Sequence, residues 1–397
     1  MNDLILVLNS GSSSLKATLL DYKNNKVYLN YLGEELGSDG ASAKAVYQDK
    51  EESRSLIEGK NLEAAIADLL KILQEHDLKS KIQAIGHRVV HGGDRFEKAT
   101  LLNHEVLAYL KTIIPLAPLH LPPSLKAIEI AEMVFSGVPQ VAVFDTAFHQ
   151  SLPEKAYLYG LPYDYYKKYG VRRYGMHGTS YRYVSRIAGE FLQENSLPAE
   201  RLVIAHLGNG ASLCAVKGGK SCDTTMGLTP LEGLIMGTRS GDIDPGLFDY
   251  LSTVANMDIK TITQVLNKES GLLGVSGLSN DMRNLEKAAG EGDERAQLAI
   301  SLFNYRAAKL IAGMVVATGG LDALIFSAGI GERAAPVRKG IMSYLGFLGL
   351  KINEQANAEA KPPKIHIISE GKSPVALVVP TNEELEIARS AVELIAS

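Results

Sequence analysis

Apolar residues fall along this chain in two recurring patterns, short unbroken runs and helical stripes. The chain opens with the apolar run Leu4 to Leu8, then a small polar turn, Asn9-Ser10-Gly11-Ser12-Ser13-Ser14, then an alternating run from Leu15 to Leu20. Runs this short, bounded by Gly, Ser and Asn, predict strands joined by a tight turn. The layout returns at mid-chain, where Leu202 to Ala205 is apolar, His206 to Ser212 reads HLGNGAS, and Leu213 to Val216 is apolar again. The repetition suggests a duplicated fold, although strand–turn–strand is itself a common unit.

Leu62 to Glu75 carries the stripe of an amphipathic helix, and Leu298 to Ala317 reads as a long helix. The long helix runs into Gly319-Gly320, the strand Ala323 to Ser327, then a glycine turn and a further helix in AGIGE. Ile82 to Ile85 and Val141 to Phe144 read as buried strands, followed by Gly86-His87-Arg88 and by Asp145-Thr146. Polar groups at such strand ends are where α/β sheets place ligands. A final helix from about Asn382 to Ile395 is expected to be capped by Thr381, with Glu383 and Glu384 in its first turn. Strands alternating with helices predict an α/β protein. The boundary between halves is expected just past Phe148, near the Pro/Tyr-rich segment Pro153 to Tyr169.

A length of 397 residues predicts two or three domains, and 46% hydrophobic with 22% charged residues is the balance of a globular chain. The net charge of −4 comes with no basic block, which argues against nucleic acid as a partner. No leader precedes the first apolar run, and Leu310 to Phe326 is interrupted by Gly319, Gly320 and Asp322, so no clean membrane span is expected. The two cysteines, Cys214 and Cys222, are too few for a disulfide framework and lie near no metal-site pattern; a reduced cytoplasmic setting is expected.

The turn NSGSSSLK offers backbone N–H groups, the hydroxyls of Ser12 and Ser14 and the cation Lys16. It suits a phosphate cradle and a plain hairpin equally, as does HLGNG with His206 and Asn209. SAGIGE, from Ser327 to Glu332, suits a nucleotide-contacting turn or a structural one. GHRVVHGG sets His87, Arg88 and His91 together, and arginine is the side chain best shaped to hold a carboxylate. Further loops present His120, Asp145 with His149, His177, and Arg239 with Asp242 and Asp244, most of these loops beside glycine or at the end of an apolar run. Cations converging from several loops are what phosphoryl transfer requires.

Together VLNSGSSSLK, GHRVVHGG, APLH, VAVFDTAFH, YGMHGTS, HLGNGAS, DTTMGLTPLEGLIMGTRSGDIDPG, AGIGE and PTNEE resemble, in order and along essentially the whole chain, the acetate kinase family of acetate and propionate kinases. The resemblance implies two duplicated actin-like α/β domains closing around a nucleotide. The first comprises 1–148 with the helix 382–397 and carries the acyl-substrate residues; the second, 149–381, carries the nucleotide loops. It implies Asn9 and Glu383 as associated with Mg2+ (or Mn2+), and Arg88 as the substrate-carboxylate arginine. Val90, Leu119, Met176 and Pro230 would line the acyl pocket. Asp145 is implied as the central acid, and His177 and Arg239, with His120 nearby, as the groups that stabilise the transferring phosphoryl. The phosphate turn with Ser12, Ser14 and Lys16 would meet ATP or ADP. So would His206, Leu207, Gly208, Asn209 and Gly210; Asp281, Met282 and Arg283; and Gly329, Ile330, Gly331, Glu332 and Arg333. A homodimer is implied by the resemblance alone.

The chain departs from the family's wording at Met176 (usually Phe), Tyr181 (usually His), Leu121 and Arg333 (usually Asn). Met176 touches the expected acyl pocket, so substrate size is what these changes bear on most.

A short carboxylic acid titrates near ~4 and is ionised at neutral pH, so the nucleophile needs no base. Direct in-line attack of acetate on the γ-phosphorus is therefore expected, with Asp145 serving the metal shell or orientation, or acting as acid/base. A propionate-preferring kinase of the same family is the nearest rival reading; an ATPase of the actin or chaperone type is the rival from another class.

Overall fold

The computed structural model describes residues 4–48, 50–56 and 59–396; residues 1–3, where no leader is expected, lie outside them. The chain divides into two compact units, Met1–Phe148 with Asn382–Ser397, and His149–Thr381.

The first unit is built on an eight-stranded sheet. Its strands are β1 (Leu4–Ser10), β2 (Leu15–Asp21), β3 (Lys26–Glu34), β4 (Ser42–Tyr47), β5 (Lys50–Ser55), β6 (Ile82–Val89), β7 (Thr100–Leu101) and β8 (Gln140–Phe144), in the order β5-β4-β3-β2-β1-β6-β8-β7. The second unit is built on a six-stranded sheet of β9 (Arg201–Leu207), β10 (Ala211–Lys217), β11 (Lys220–Thr224), β12 (Ala323–Ser327), β13 (His366–Ile367) and β14 (Val375–Val378), in the order β11-β10-β9-β12-β14-β13.

The two sheets share one plan. In each, the first strand pairs antiparallel with its hairpin partner on one side and parallel with a later strand on the other. A second parallel strand follows, and a two-residue antiparallel strand closes that edge. The two glycine hairpins noted in the sequence are the β1–β2 and β9–β10 connections of this repeated plan, and the mixed α/β duplication expected from the sequence is present.

Strand β1 is buried on both faces, which is why it reads as an unbroken apolar run. Leu4, Leu6 and Leu8 join a core with Ile66, Leu69 and Leu73 of the helix Leu62–Glu75 and with Ile130 and Ala131 of the helix Leu121–Val134. The helix Glu383–Ile395 packs on β1, β6 and β8. Gly86 admits it, because a Cβ there would lie 2.5 Å from Ile387 Cγ2. That close approach brings Glu383, at the start of the helix, beside Arg88 on β6.

Several expected boundaries shift. Strand β6 runs past Ile85 to Val89, so His87 and Arg88 lie within the strand, held by its parallel pairing with β8. The final helix is capped by Asn382, whose side chain accepts from the Leu385 N–H, and not by Thr381, whose hydroxyl meets Ser180 Oγ at 2.8 Å. AGIGE holds no separate turn: the helix Ala328–Arg333 follows β12 directly, with Ala328 at φ 63° making the corner. The long helix spans Glu294–Thr318, starting before the apolar stripe because Asp293 caps a polar first turn. It is long and apolar enough to cross a membrane by length and composition alone, and it packs on β9 and β10.

Candidate active site

In the second unit the segment before the helix Gly178–Glu194 is tightly cornered. Gly175 has φ 77°, and a Cβ there would lie 2.6 Å from both the His149 ring and Thr224, so only glycine fits. His177 itself sits at φ 59° just ahead of the helix. Its Nδ1 lies 2.8 Å from Ser212 Oγ, and its ring stacks on His206 with centroids 4.2 Å apart. The β9–β10 register causes this, because Ser212 and His206 are direct cross-strand partners. His206 Nδ1 in turn meets Ser180 Oγ at 2.8 Å.

His149, noticed in the sequence beside Asp145, is a buried supporting group. Its Nε2 donates to the Met176 carbonyl at 3.0 Å, and its Nδ1 meets Ser221 Oγ at 2.8 Å.

Arg239 reaches the same turn as His177. A Cβ on Gly210 would lie 3.5 Å from His177 Nε2 and 3.6 Å from Arg239 Nη1. Arg239 Nη1 donates to the Pro230 carbonyl at 3.1 Å and lies against Met236 Sδ. Among the described residues no carboxylate pairs with it; Asp242 and Asp244 instead accept from the backbone N–H groups of Gly233 and Gly246. Burial therefore pulls the Arg239 guanidinium below its ordinary pKa. A largely buried cation with no counter-ion is costly unless an anion arrives to pair with it.

A pocket of roughly 430 Å³ in the second unit gathers Gly208, Asn209, Asp281, Met282, Arg283, Gly329, Ile330 and Arg333. Asp281 caps the helix Met282–Gly290 by accepting from the Arg283 N–H, and Asn280 Nδ2 donates to Asn209 Oδ1 at 3.0 Å, tying two of the loops together. A Cβ on Gly329 would meet nothing within 4 Å. Leu207, Gly331 and Glu332 do not line the pocket. Leu207 is fully buried, the Gly331 carbonyl accepts from Arg338, and Glu332 Oε1 accepts from the backbone N–H groups of Ala328 and Thr381, both at 3.0 Å. The sequence reading missed Asn280, Glu286 and Ala334 in the lining. Glu286 follows Met282 by one helical turn, a spacing that could have revealed it. Its Oε1 is buried without a hydrogen-bond partner, and burial raises its pKa.

In the first unit Arg88 meets Asp145 side-on, through Nε at 3.2 Å and Nη2 at 2.7 Å. Its Nη1 lies 3.7 Å from Glu383. The Arg88 side chain is 20% exposed and that of Asp145 only 1%. Burial opposes the charge on Arg88, yet Asp145 and Glu383 together hold its pKa above the usual value. Since Asp145 takes the Nε/Nη2 edge, the Nη1/Nη2 end of the fork is the edge that can accept a further carboxylate. Burial raises the pKa of Glu383; Arg88 opposes the shift, while Asp145 and Glu384 add to it.

Lys16, which also acts on Glu383, stands directly opposite Asn9 in the β1–β2 ladder. Ser12 and Ser14 lie in the connecting turn, closed by the Gly11 N–H donating to the Ser14 carbonyl at 2.8 Å. The oxygens of Asn9, Asp145 and Glu383 are hard donors of the kind Mg2+ accepts. No group of three or more His, Cys, Asp or Glu placed to hold a metal occurs among the described residues. That suits an ion held by one or two carboxylates and by substrate phosphates rather than by a protein cage.

The other histidines of the first unit divide by burial. His87 meets Gln140 Oε1 at 2.6 Å, and His91 Nδ1 accepts from the Gly93 N–H at 3.0 Å; both are buried within the fold. His120 sits at the start of the helix Leu121–Val134. Of the four apolar residues expected in an acyl pocket, Val90 and Leu119 belong to the first unit, Leu119 being 56% exposed. Met176 and Pro230 belong to the second, where Met176 is buried.

Comparison with known proteins agrees over nearly the full length. A sequence model described as the Acetokinase family matches residues 4–389. An acetate kinase of Deinococcus radiodurans is 53% identical over 97% of this chain and 96% of its own. The crystal structure of a propionate kinase from Francisella tularensis aligns with a TM-score of 0.93 at 42% identity, covering 98% of this chain and 99% of that one. That of Porphyromonas gingivalis acetate kinase aligns with a TM-score of 0.91 at 40% identity, covering 99% and 100%. With its repeated sheet plan and these matches, the chain belongs to the acetokinase family, the phosphotransferases of duplicated actin-like fold.

Proposed function

We propose that this chain catalyses reversible transfer of the γ-phosphoryl group of ATP to acetate, giving acetyl phosphate and ADP. The observation that carries the reading is Arg239, largely buried, without a carboxylate partner, and reaching the same glycine turn as His177. A site that has already met the cost of desolvating a guanidinium binds most strongly the state in which charge spreads over three equatorial oxygens.

In this reading the end of the Arg88 fork holds the acetate carboxylate, while Asp145 fixes the arginine's orientation from the side. Asp145, paired with Arg88, serves as an orienting group rather than a base, because acetate brings its own negative charge. His177 and Arg239 hold the oxygens of the transferring group, with His120 as a further donor. The nucleoside lies in the pocket of Asn209, Asp281, Met282, Arg283, Gly329 and Arg333, and Ser12, Ser14 and Lys16 meet phosphate oxygens. Asn9 and Glu383, with Asp145 in the outer shell, are the residues that would hold Mg2+ (or Mn2+), which would supply positive charge to neutralise nucleotide phosphates.

Acetate is favoured over propionate, since Val90 as a pocket wall should restrict chain length more than a smaller residue would. One methylene is worth only ~1–3 kcal/mol of discrimination, so propionate is a poorer substrate rather than an excluded one. The enzyme acts in the cytoplasm, as a homodimer, without nucleic-acid or membrane partners.

Purified protein with MgATP and hydroxylamine, given acetate, propionate or butyrate in turn, tests this directly. Hydroxamate should form fastest with acetate. A propionate or butyrate preference would overturn the substrate assignment, and ATP hydrolysis with no trapped product would overturn the reaction.

A further inference from the structure

Behind His177 lies a hydrogen-bonded chain that ends in Tyr181, one of the residues at which the sequence departs from its family's wording. Tyr181 is fully buried, its hydroxyl lies 2.5 Å from Ser212 Oγ, and Ser212 Oγ lies 2.8 Å from His177 Nδ1.

The direction of this chain follows from counting protons. Ser212 is the one hydrogen-bond partner of the Tyr181 hydroxyl among the described residues. Were Ser212 to donate to Tyr181, the phenolic proton would be buried with no acceptor, a costly state for a buried donor. Tyr181 therefore donates to Ser212. Ser212 has a single proton, which it then gives to His177 Nδ1, so in the neutral ring the proton must sit on Nε2. Nε2 is the nitrogen that, with Arg239 Nη1, surrounds the Gly210 turn. Burial pushes the phenol's pKa well above its ordinary value, so the chain keeps this direction throughout the working pH range.

We propose that Ser212, its oxygen already occupied by the Tyr181 hydroxyl, is a positioning residue that fixes His177 as a neutral Nε2–H donor aimed at the transferring phosphoryl group. The inference deepens the reading of His177 given above and rests on it for its link to catalysis. It also implies that His177 resists protonation. An imidazolium would need an acceptor at Nδ1, so Ser212 could no longer donate there and one hydroxyl proton of the Ser212–Tyr181 pair would be left without an acceptor. Among the titratable groups near this chain, His206 stacks on the ring, Arg239 approaches across Gly210, His149 stands edge-on to Tyr181, and Cys214 lies beside Tyr181 with its thiol held neutral by burial.

The test uses Ser212→Ala, which removes the donor at Nδ1, together with nitrogen NMR of histidine-labelled wild-type protein and variant. In the wild type, His177 should show the Nε2–H tautomer from about pH 6 to 8. In the variant nothing donates to Nδ1 and the ring can change tautomer or take up a proton: kcat should fall ~10-fold or more with KM for ATP and acetate within ~2-fold, and an ionisation near ~6.5 should enter the kcat profile. An Nδ1–H tautomer or an imidazolium in the wild type at pH 7 would overturn the proposal, even if the variant did not fold. So would a variant whose tautomer and pH profile match the wild type. The predicted tautomer change with unaltered kcat would uphold the relay and overturn instead the reading that His177 serves transfer.

Discussion

Replacing Arg239 with methionine separates what a guanidinium does for the fold from what it does for the reaction. The fold loses one charged hydrogen bond, from Nη1 to the Pro230 carbonyl, worth about 1.5–3 kcal/mol. It also sheds a desolvated charge that no carboxylate compensates, a cost of several kcal/mol for a buried ion. Methionine fills much of the vacated space and packs against Met236. Stability should therefore change by less than ~1 kcal/mol, or rise. The reaction has no such compensation: losing a preorganised charge stabiliser costs ~10²–10³ in kcat, and an arginine acting on a transferring phosphoryl can be worth ~10³–10⁵. Urea unfolding and hydroxamate formation, measured on one preparation, read the two effects separately. A kcat within ~3-fold of wild type would refute the reasoning. So would a variant destabilised by several kcal/mol, since Arg239 would then be a structural residue whose charge is compensated after all.

Other substitutions probe the remaining parts. Arg88→Ala should raise KM for acetate sharply and lower stability, because buried Asp145 loses the charge that Arg88 sets against it. Adding Asp145→Asn should restore part of the stability but not the acetate affinity. Gly329 lines the pocket and a Cβ there meets nothing within 4 Å, so in Gly329→Val Tm should hold while KM for ATP rises ~10-fold or more; an unchanged KM would move the nucleoside elsewhere. Burial pulls His87 and His91 down to about 4, so the unfolded chain takes up protons on them at a higher pH than the folded one does. Their stabilisation is complete above ~6.5 and is lost as pH falls, by roughly 2 kcal/mol per histidine between pH 7 and 5. Urea unfolding should show that loss eased by the same amount in His87→Gln.

Much of the duplicated fold is legible in the sequence because β1, β9 and β12 are buried on both faces and so appear as unbroken apolar runs. Strands β3 to β5 escape that signal. Buried positions in β3 alternate with exposed ones, β5 reads KEESRS with no apolar residue, and these strands are held by pairing with β2 and with each other. Individual site residues were recognisable where a cation sits in a glycine-dense loop, as Arg239 does. Partnership was not. Asp242 and Asp244 stand close to Arg239 in sequence, yet both are spent on backbone N–H groups. Arg88 instead pairs with Asp145, 57 residues away, because β6 and β8 are parallel neighbours. Tyr181 was visible only as a departure from a family pattern. Its link to His177 runs through Ser212 on another strand and follows from the β9–β10 register.

The account's central claim is that the phosphoryl group passes directly from nucleotide to carboxylate, with the protein supplying position and charge and no covalent carrier. ATP made chiral at the γ-phosphorus with three oxygen isotopes, turned over once with acetate, reads this in the configuration of the acetyl phosphate formed. A single in-line displacement predicts inversion. Retention would mean that the phosphoryl group rests on the protein between two displacements, and would contradict the account.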